Sequence, residues 1–151
     1  MRGIWVLLSL LAVLTACSST VEGAASAGKV VELRQVLTDG QGEIRARDPA
    51  TEEELPLGPV RLRLDRFDRT EAKVDPAGGG WLIELDLPAD LAAKFGDLTA
   101  GNIGERFAML VDGAVVSAPT INSAIPGGKI HISGTFTRQQ AEELAAALGG
   151  S

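Results

Sequence analysis

The sequence predicts an α+β fold of the ferredoxin-like kind, in which two helices pack on one face of a mainly antiparallel sheet. The first observation is a β-hairpin signal, because Asp112 and Gly113 separate two β-prone runs and suit a type I′ turn. The second is the alternation of apolar and charged residues along Val60–Phe67, which is typical of a half-buried strand. The third is the helical spacing of apolar residues after Pro88 and after Thr137.

The two predicted helices have clear start signals. Proline is favoured at a first helical position, so Pro88 starts a helix that buries Leu91, Phe95 and Leu98. The second helix begins at a capping box over Thr137–Gln140, in which the threonine and glutamine side chains bond each other's backbone amides. Its buried stripe consists of Ala141, Leu144, Ala145 and Leu148.

The strands are separated by turn-rich segments. The stretch 38–58 is polar and acidic, with several glycines and prolines and a run of three glutamates, and it predicts an exposed loop. The hairpin strands flank the turn at Asp112 and Gly113. The other predicted strands are Lys29–Leu37, Val60–Phe67, Thr70–Val74, Trp81–Leu87 and Lys129–Gly134.

Composition and charge exclude several function classes. A net charge of −6 without basic clusters argues against nucleic-acid binding. The single cysteine excludes an internal disulfide and any zinc site built from several cysteines. No cofactor or metal is therefore expected.

The first 16 residues have the pattern of a signal peptide. Arg2 precedes an apolar run from Ile4 to Leu14, which is short for a membrane span. The run ends in LTAC at 14–17, which resembles the bacterial lipobox. The resemblance implies cleavage between Ala16 and Cys17, and lipidation of Cys17 that anchors the chain in the membrane through fatty acids such as palmitate. An ordinary secretory signal with a chance cysteine, or an uncleaved anchor, is the alternative.

No side chains form a convincing catalytic constellation in the sequence. His131 is the single histidine, and a solvent-facing strand position explains it. Asp112 is explained by the hairpin turn, and Ser117 has no base at a supporting spacing. Asn102 and Thr99 are interpreted as turn and capping groups. We therefore expect a chain that is not an enzyme.

From residue 57 onward the sequence resembles the head subdomain of the first periplasmic domain of SecD and SecDF, accessory subunits of the bacterial preprotein translocase. The resemblance implies contact with preprotein on the outer face of the cytoplasmic membrane, and partnership with Sec translocase subunits. It implies no proton-driven pulling by these residues, because the base subdomain and the transmembrane helices of the family have no counterpart in the sequence. The matching motifs are LGP at 57–59, DPAGGGW at 75–81, KFGDLTAGNIG at 94–104, LVDGAVVSAPTI at 110–121, IPGGKIHISGTFT at 125–137 and AEELAAALG at 141–149.

These observations divide the chain into four regions. They are a lipoprotein signal peptide at 1–16, a lipidated cysteine with a flexible tether at 17–28, a strand and exposed loop at 29–56, and a head-like domain at 57–151.

Two functions are considered. The first is a lipid-anchored lipoprotein of the cell envelope that binds extended or translocated polypeptide on the extracytoplasmic side of the membrane and assists protein export. The second is a docking module for one folded envelope partner. For the first function, the apolar segment that follows the hairpin supplies the peptide-binding candidates Ser117, Ala118, Pro119, Thr120, Ile121 and Ile125.

Overall fold

A computed structural model describes residues 28–149. The predicted signal peptide, Cys17 and the tether up to residue 27 lie outside these residues. The described elements are β1 (Val31–Val36), β2 (Ile44–Arg47), β3 (Glu54–Leu64), β4 (Arg69–Val74), β5 (Trp81–Asp86), α1 (Ala89–Ala100), β6 (Phe107–Val111), β7 (Ala114–Ser117), β8 (Lys129–Phe136) and α2 (Arg138–Gly149).

The strands form two antiparallel sheets. Five strands are ordered β2-β3-β1-β6-β7, and three are ordered β4-β5-β8. Helix α2 packs on the three-stranded sheet, whereas α1 packs beside β3 of the five-stranded sheet. The prediction of one ferredoxin-like sheet with both helices on one face is therefore wrong, although the α+β class and the antiparallel pairing are confirmed.

The main hydrophobic core lies between the two sheets and the helices. Both sheets and both helices contribute to it, through residues such as Leu33, Ile83, Phe95 and Ala145. A second, smaller core lies inside the five-stranded sheet, whose opposite edges β2 and β7 come into contact because the sheet curls. This second core contains Leu55, Leu57, Ala108, Leu110 and Val115.

Strand β6, which lies between β1 and the edge strand β7, is buried on both faces. Phe107, Met109 and Val111 face the main core, whereas Ala108 and Leu110 face the second core. The hairpin prediction is confirmed, since Asp112 and Gly113 have positive φ values of 51° and 79° between β6 and β7.

The predicted exposed loop at 38–58 is wrong in its second half. This stretch contains β2 and the start of β3, and Leu55 and Leu57 are fully buried. Pro56 keeps its place in the sheet because its carbonyl accepts the Leu37 N–H at 2.8 Å. The other strand predictions are confirmed to within a few residues, and β8 extends two residues beyond Gly134.

Both helix predictions are confirmed. Pro88 is the N-cap of α1 rather than its first helical residue, and it lacks a side-chain cap bond. The capping box of α2 is present, because the Thr137 N–H donates to Gln140 Oε1 at 2.9 Å and the Gln140 N–H donates to Thr137 Oγ1 at 3.3 Å. Neither helix of the described part of the chain has the length and apolar character required to cross a bilayer.

Candidate functional site

The segment that follows the hairpin continues as an edge of the five-stranded sheet. The Phe107 N–H donates to the Pro119 carbonyl at 3.0 Å, and the Ile121 N–H donates to the Glu105 carbonyl at 2.9 Å. Thr120 lies opposite Arg106 in an isolated antiparallel bridge. The edge of the sheet therefore extends from β7 to Ile121.

Helix α1 holds the far end of this segment. Thr99 is 1% exposed, and its Oγ1 accepts the Ile125 N–H at 3.0 Å. The same hydroxyl lies 2.9 Å from the Phe95 carbonyl, to which it donates. Thr99 is therefore a buried tie between helix and segment rather than a turn group, while Asn102 caps the helix end by donating to the Leu98 carbonyl at 2.7 Å.

An apolar cavity of about 340 Å³ opens beside the segment and next to α1, and we call it the helix cavity. Thr120 and Pro119 border its entrance, together with Lys129 and His131 of β8. Its apolar lining residues are Leu33, Phe95, Phe107, Met109, Ile121, Ile125 and Ile130.

A second cavity of about 340 Å³ lies beside the β2–β3 turn, and we call it the turn cavity. One wall is the edge from Val116 to Pro119, and the opposite wall is the end of β8 from Ser133 to Phe136. Pro119 borders both cavities, so they lie end to end between the β7–Ile121 edge and β8. We call the two cavities together the groove.

Arg106 connects two sides of the turn cavity through its guanidinium group. Its Nη2 lies 2.5 Å from a carboxylate oxygen of Asp48, and its Nη1 lies 3.0 Å from Glu53. Its Nε donates to the Ala118 carbonyl at 2.9 Å. The Asp48 side chain is only 4% exposed, so this ion pair is largely desolvated. One guanidinium thus joins the β2–β3 turn to the segment that follows the hairpin.

The structure brings the six candidate peptide-binding residues to the groove. Ser117, Ala118 and Pro119 line the turn cavity, and Pro119, Thr120, Ile121 and Ile125 line the helix cavity. Sequence reasoning missed the opposite wall, which β8 supplies. The apolar alternation of Ile130 and Ile132 marked a strand, but no local signal indicated which strand would face it.

The polar residues considered for catalysis lie apart. Ser117 lines the turn cavity and His131 the helix cavity, whereas Asp112 lies in the hairpin turn with Lys29 Nζ at 2.6 Å. Within residues 28–149, no three His, Cys, Asp or Glu side chains are grouped so that they could hold a metal ion.

His131 instead belongs to an ion cluster on the polar face of the three-stranded sheet. Glu84 is its centre, with Lys73 Nζ at 2.7 Å, Lys129 Nζ at 3.0 Å and His131 Nε2 at 3.1 Å. Hydrogen bonds from Lys73, and then from Lys129, lower the pKa of Glu84 from 4.5 to about 2. The cluster fixes the solvent face of β5 and β8.

Comparison with known proteins identifies the family. A family model described as the SecDF P1 head subdomain matches residues 45–151. This chain belongs to the SecDF P1 head family. The protein translocase subunit SecD of Desulfurispirillum indicum is 36% identical over 110 residues, which cover 69% of this chain and 21% of that protein. SecD of Mycobacterium tuberculosis is 37% identical over 95 residues, which cover 61% of this chain and 17% of that protein.

The SecDF head fold is also found in solved structures. One of these is of SecDF described as a membrane component that enhances protein export. It is 27% identical with a TM-score of 0.67, and the match covers 83% of this chain and 64% of that one. A second, a super-membrane-facing form of SecDF, is 26% identical with a TM-score of 0.66, over 83% of this chain and 19% of that one. The chain spans about a fifth of the length of the SecD relatives that it matches.

Proposed function

We propose that this chain is a lipid-anchored SecDF head domain that binds extended polypeptide on the extracytoplasmic side of the cytoplasmic membrane and assists protein export. The observation that carries the proposal is the groove, which is open, apolar at its floor and bordered by two sheet edges. The names of the relatives support the export role, since they are translocase subunits. A role as a subunit of a translocation factor agrees with the expectation that the chain is not an enzyme.

The groove suits an unfolded chain better than a folded surface. The helix cavity has room for large apolar side chains, and a folded protein keeps such side chains inside its own core. Burial of one leucine-sized side chain stabilises a complex by about 1.5–3 kcal/mol, so each contact is weak and transient. A polypeptide that is being translocated requires weak contacts, because tight binding would stop its movement.

Lipidation of Cys17 is the second part of the proposal. The residues from 18 to 28 would reach at most about 35–40 Å when fully extended, which keeps the groove close to the membrane surface. The Cys17→Ser variant tests this part. We expect it to lose incorporation of labelled palmitate in cells and to leave the membrane fraction, and retention of both would overturn the anchoring.

Photo-crosslinking in intact cells tests the binding function. A photo-reactive residue at Thr120 lies on the rim of the groove, and one at Val74 serves as the matched control, since Val74 is 65% exposed on a different strand. We expect Thr120 to capture many secreted chains and translocase subunits while Val74 does not. Capture of one folded protein at Thr120 would favour the docking module. Equal capture at both sites would refute selective binding in the groove.

A further inference from the structure

We propose that the groove binds its polypeptide by β-strand addition, with the incoming strand hydrogen-bonded to the outer edge of β8. This inference rests on the proposed function and specifies its mode. The groove would then recognise the backbone of an extended chain through its N–H and C=O groups, and apolar side chains at alternate positions through its floor.

The register of β5 and β8 shows which backbone groups of β8 face outward. Across that pair, Leu87 N–H donates to the Gly128 carbonyl at 2.8 Å, so these two residues are a hydrogen-bonded pair. Bonded and non-bonded pairs alternate in an antiparallel ladder. Leu85 with Ile130 and Ile83 with Ile132 are therefore also bonded pairs.

The intervening residues of β8 have their backbone groups on the other side. The N–H and C=O groups of Lys129, His131 and Ser133 point away from β5, towards the edge that borders the groove. Within residues 28–149, β8 pairs with no strand other than β5. Lys129 and His131, which line the helix cavity, thus offer a donor and an acceptor each, whereas β7 lies too close to the Ser133 end of β8 to admit a strand there.

On the opposite wall, the β7–Ile121 edge, Thr120 also has backbone N–H and C=O groups that face the groove. Phe107 N–H donates to the Pro119 carbonyl and Ile121 N–H donates to the Glu105 carbonyl, so Thr120 between them points its backbone groups away from β6. Its partner Arg106 points the other way, and the Arg106 carbonyl accepts the Val36 N–H at 2.8 Å. The described residues supply no hydrogen-bond partner for the Thr120 amide or carbonyl.

The occupant follows from charge complementarity. The outward groups carry alternating partial charges, positive at N–H and negative at C=O, with a repeat of about 6.8 Å along the strand. An extended polypeptide backbone carries the same alternation at the same spacing, whereas a helix has already satisfied its backbone groups internally. The ligand is therefore a peptide in the β conformation rather than a helical segment.

The floor of the groove sets the side-chain pattern. Successive side chains of a strand point to opposite faces, so every second residue of the ligand faces Ile121, Ile125 and Ile130, and the others face solvent. A one-residue shift would place polar side chains on the apolar floor. We therefore infer a preference for peptides in which apolar and polar residues alternate.

Backbone N-methylation of a peptide tests the mode without changing any side chain. The ligand is a capped heptapeptide of alternating valine and threonine with two lysines added for solubility, and the protein is the full chain in lipid nanodiscs. Two variants carry N-methyl groups on the valines or on the threonines. We expect one methylated set to bind about tenfold more weakly, because its N–H groups face β8, and the other to stay within about threefold. Equal affinities for both sets would overturn β-strand addition while leaving peptide binding intact.

Amide hydrogen exchange gives an independent readout with an internal control. In the free chain we expect the amides of Lys129 and His131 to exchange at least about tenfold faster than those of Ile130 and Ile132, which are bonded to β5. The bound peptide should slow the first pair alone. Binding without this slowing would overturn the inference, and failure of the unmethylated peptide to bind would overturn the proposed function as well.

Two variants of one residue separate backbone from side chain. His131→Pro removes the outward N–H but leaves the bonds of its neighbours to β5, and proline is tolerated at such an edge position. His131→Ala removes only the imidazole. We expect His131→Pro to bind the peptide about tenfold more weakly than His131→Ala, since the two variants differ in the outward backbone N–H and both lack the imidazole. Equal losses would overturn the backbone mode, and a thermal melt checks that each variant is folded.

Discussion

Replacement of Arg106 should destabilise the domain far more than replacement of an exposed arginine. The Arg106→Met variant removes three contacts, to Asp48 at 2.5 Å, Glu53 at 3.0 Å and the Ala118 carbonyl at 2.9 Å. It also leaves the Asp48 carboxylate, which is 4% exposed, without a counter-charge. Hydrogen bonds to charged groups contribute about 1.5–3 kcal/mol each, and an orphaned buried charge costs about 3–5 kcal/mol. Because the Arg106 side chain is 29% exposed, we expect the lower end, a loss of about 3 kcal/mol.

Urea unfolding of the full chain measures this loss. With a slope of about 1.5 kcal/mol per molar urea, the midpoint should fall by about 2 M. The matched control is Arg61→Met, on an exposed side chain whose one hydrogen bond within residues 28–149 is to Gln35 Oε1 at 3.4 Å, and it should change stability by less than about 0.5 kcal/mol.

A double-mutant cycle isolates the ion pair. Asp48→Asn alone should also destabilise the domain, but Asp48→Asn combined with Arg106→Met should cost less than the sum of the two, with a coupling of about 2 kcal/mol. A loss below about 1 kcal/mol in Arg106→Met, or a coupling below about 0.5 kcal/mol, would refute the argument that this pair fastens the β2–β3 turn to the segment.

Three further predictions concern single positions. The pKa of Glu84 is lowered, so the contribution of its carboxylate to folding stability is complete above pH 4.5 and is lost as the pH falls to about 2. The stability difference between the wild type and Glu84→Gln, measured from urea midpoints, should therefore shrink between pH 6 and pH 2.5. A difference that stays constant over this range would contradict the prediction. Gly128→Ala should cost about 2–3 kcal/mol in thermal melts, because φ is +66° and a Cβ would meet another side chain at 2.5 Å, whereas Gly127→Ala, with open space around it, should be nearly neutral. Thr99→Val should cost about 1–3 kcal/mol because it leaves the Ile125 N–H without an acceptor, and Thr99→Ser should retain most of the stability; equal losses in urea would count against the buried tie.

The features that the sequence predicts correctly depend on neighbours in the chain. The hairpin needs only two residues that accept positive φ, Asp112 and Gly113, between β-prone runs. The capping box needs only Thr137 and Gln140, three positions apart. The segment that lines the groove was found in the same way, from its apolar composition after the hairpin.

The features that the sequence does not predict depend on distant partners. Leu55 and Leu57 stand among glycines, prolines and glutamates, so their local context indicates a loop. Their burial comes from the curl of the five-stranded sheet around Ala108 and Leu110, more than 50 residues away in the chain. The division into two sheets has the same origin, because strand pairing is decided by long-range packing and not by alternation within a strand.

The pairing of Arg106 with Asp48 was equally invisible in the sequence. Both residues belong to common charged types in polar stretches, and 58 positions separate them. Only the curl of the sheet brings the turn after β2 to the end of β7 and excludes water from the carboxylate. The sequence therefore indicated one wall of the groove but neither the opposite wall nor the ion pair of Arg106 with Asp48 that joins the β2–β3 turn to the first wall.

The position of β1 has a consequence for how the domain folds in time. Among the strands of residues 28–149, β1 is synthesised first, yet it lies in the middle of the five-stranded sheet, between β3 and β6. Val31 pairs with Leu64 on one side and with Val111 on the other. The central ladder therefore cannot close until most of the chain has been delivered, and such a high contact order slows folding. If the chain reaches the extracytoplasmic side as we propose, it spends that interval as an extended polypeptide, the same kind of molecule that we propose it binds.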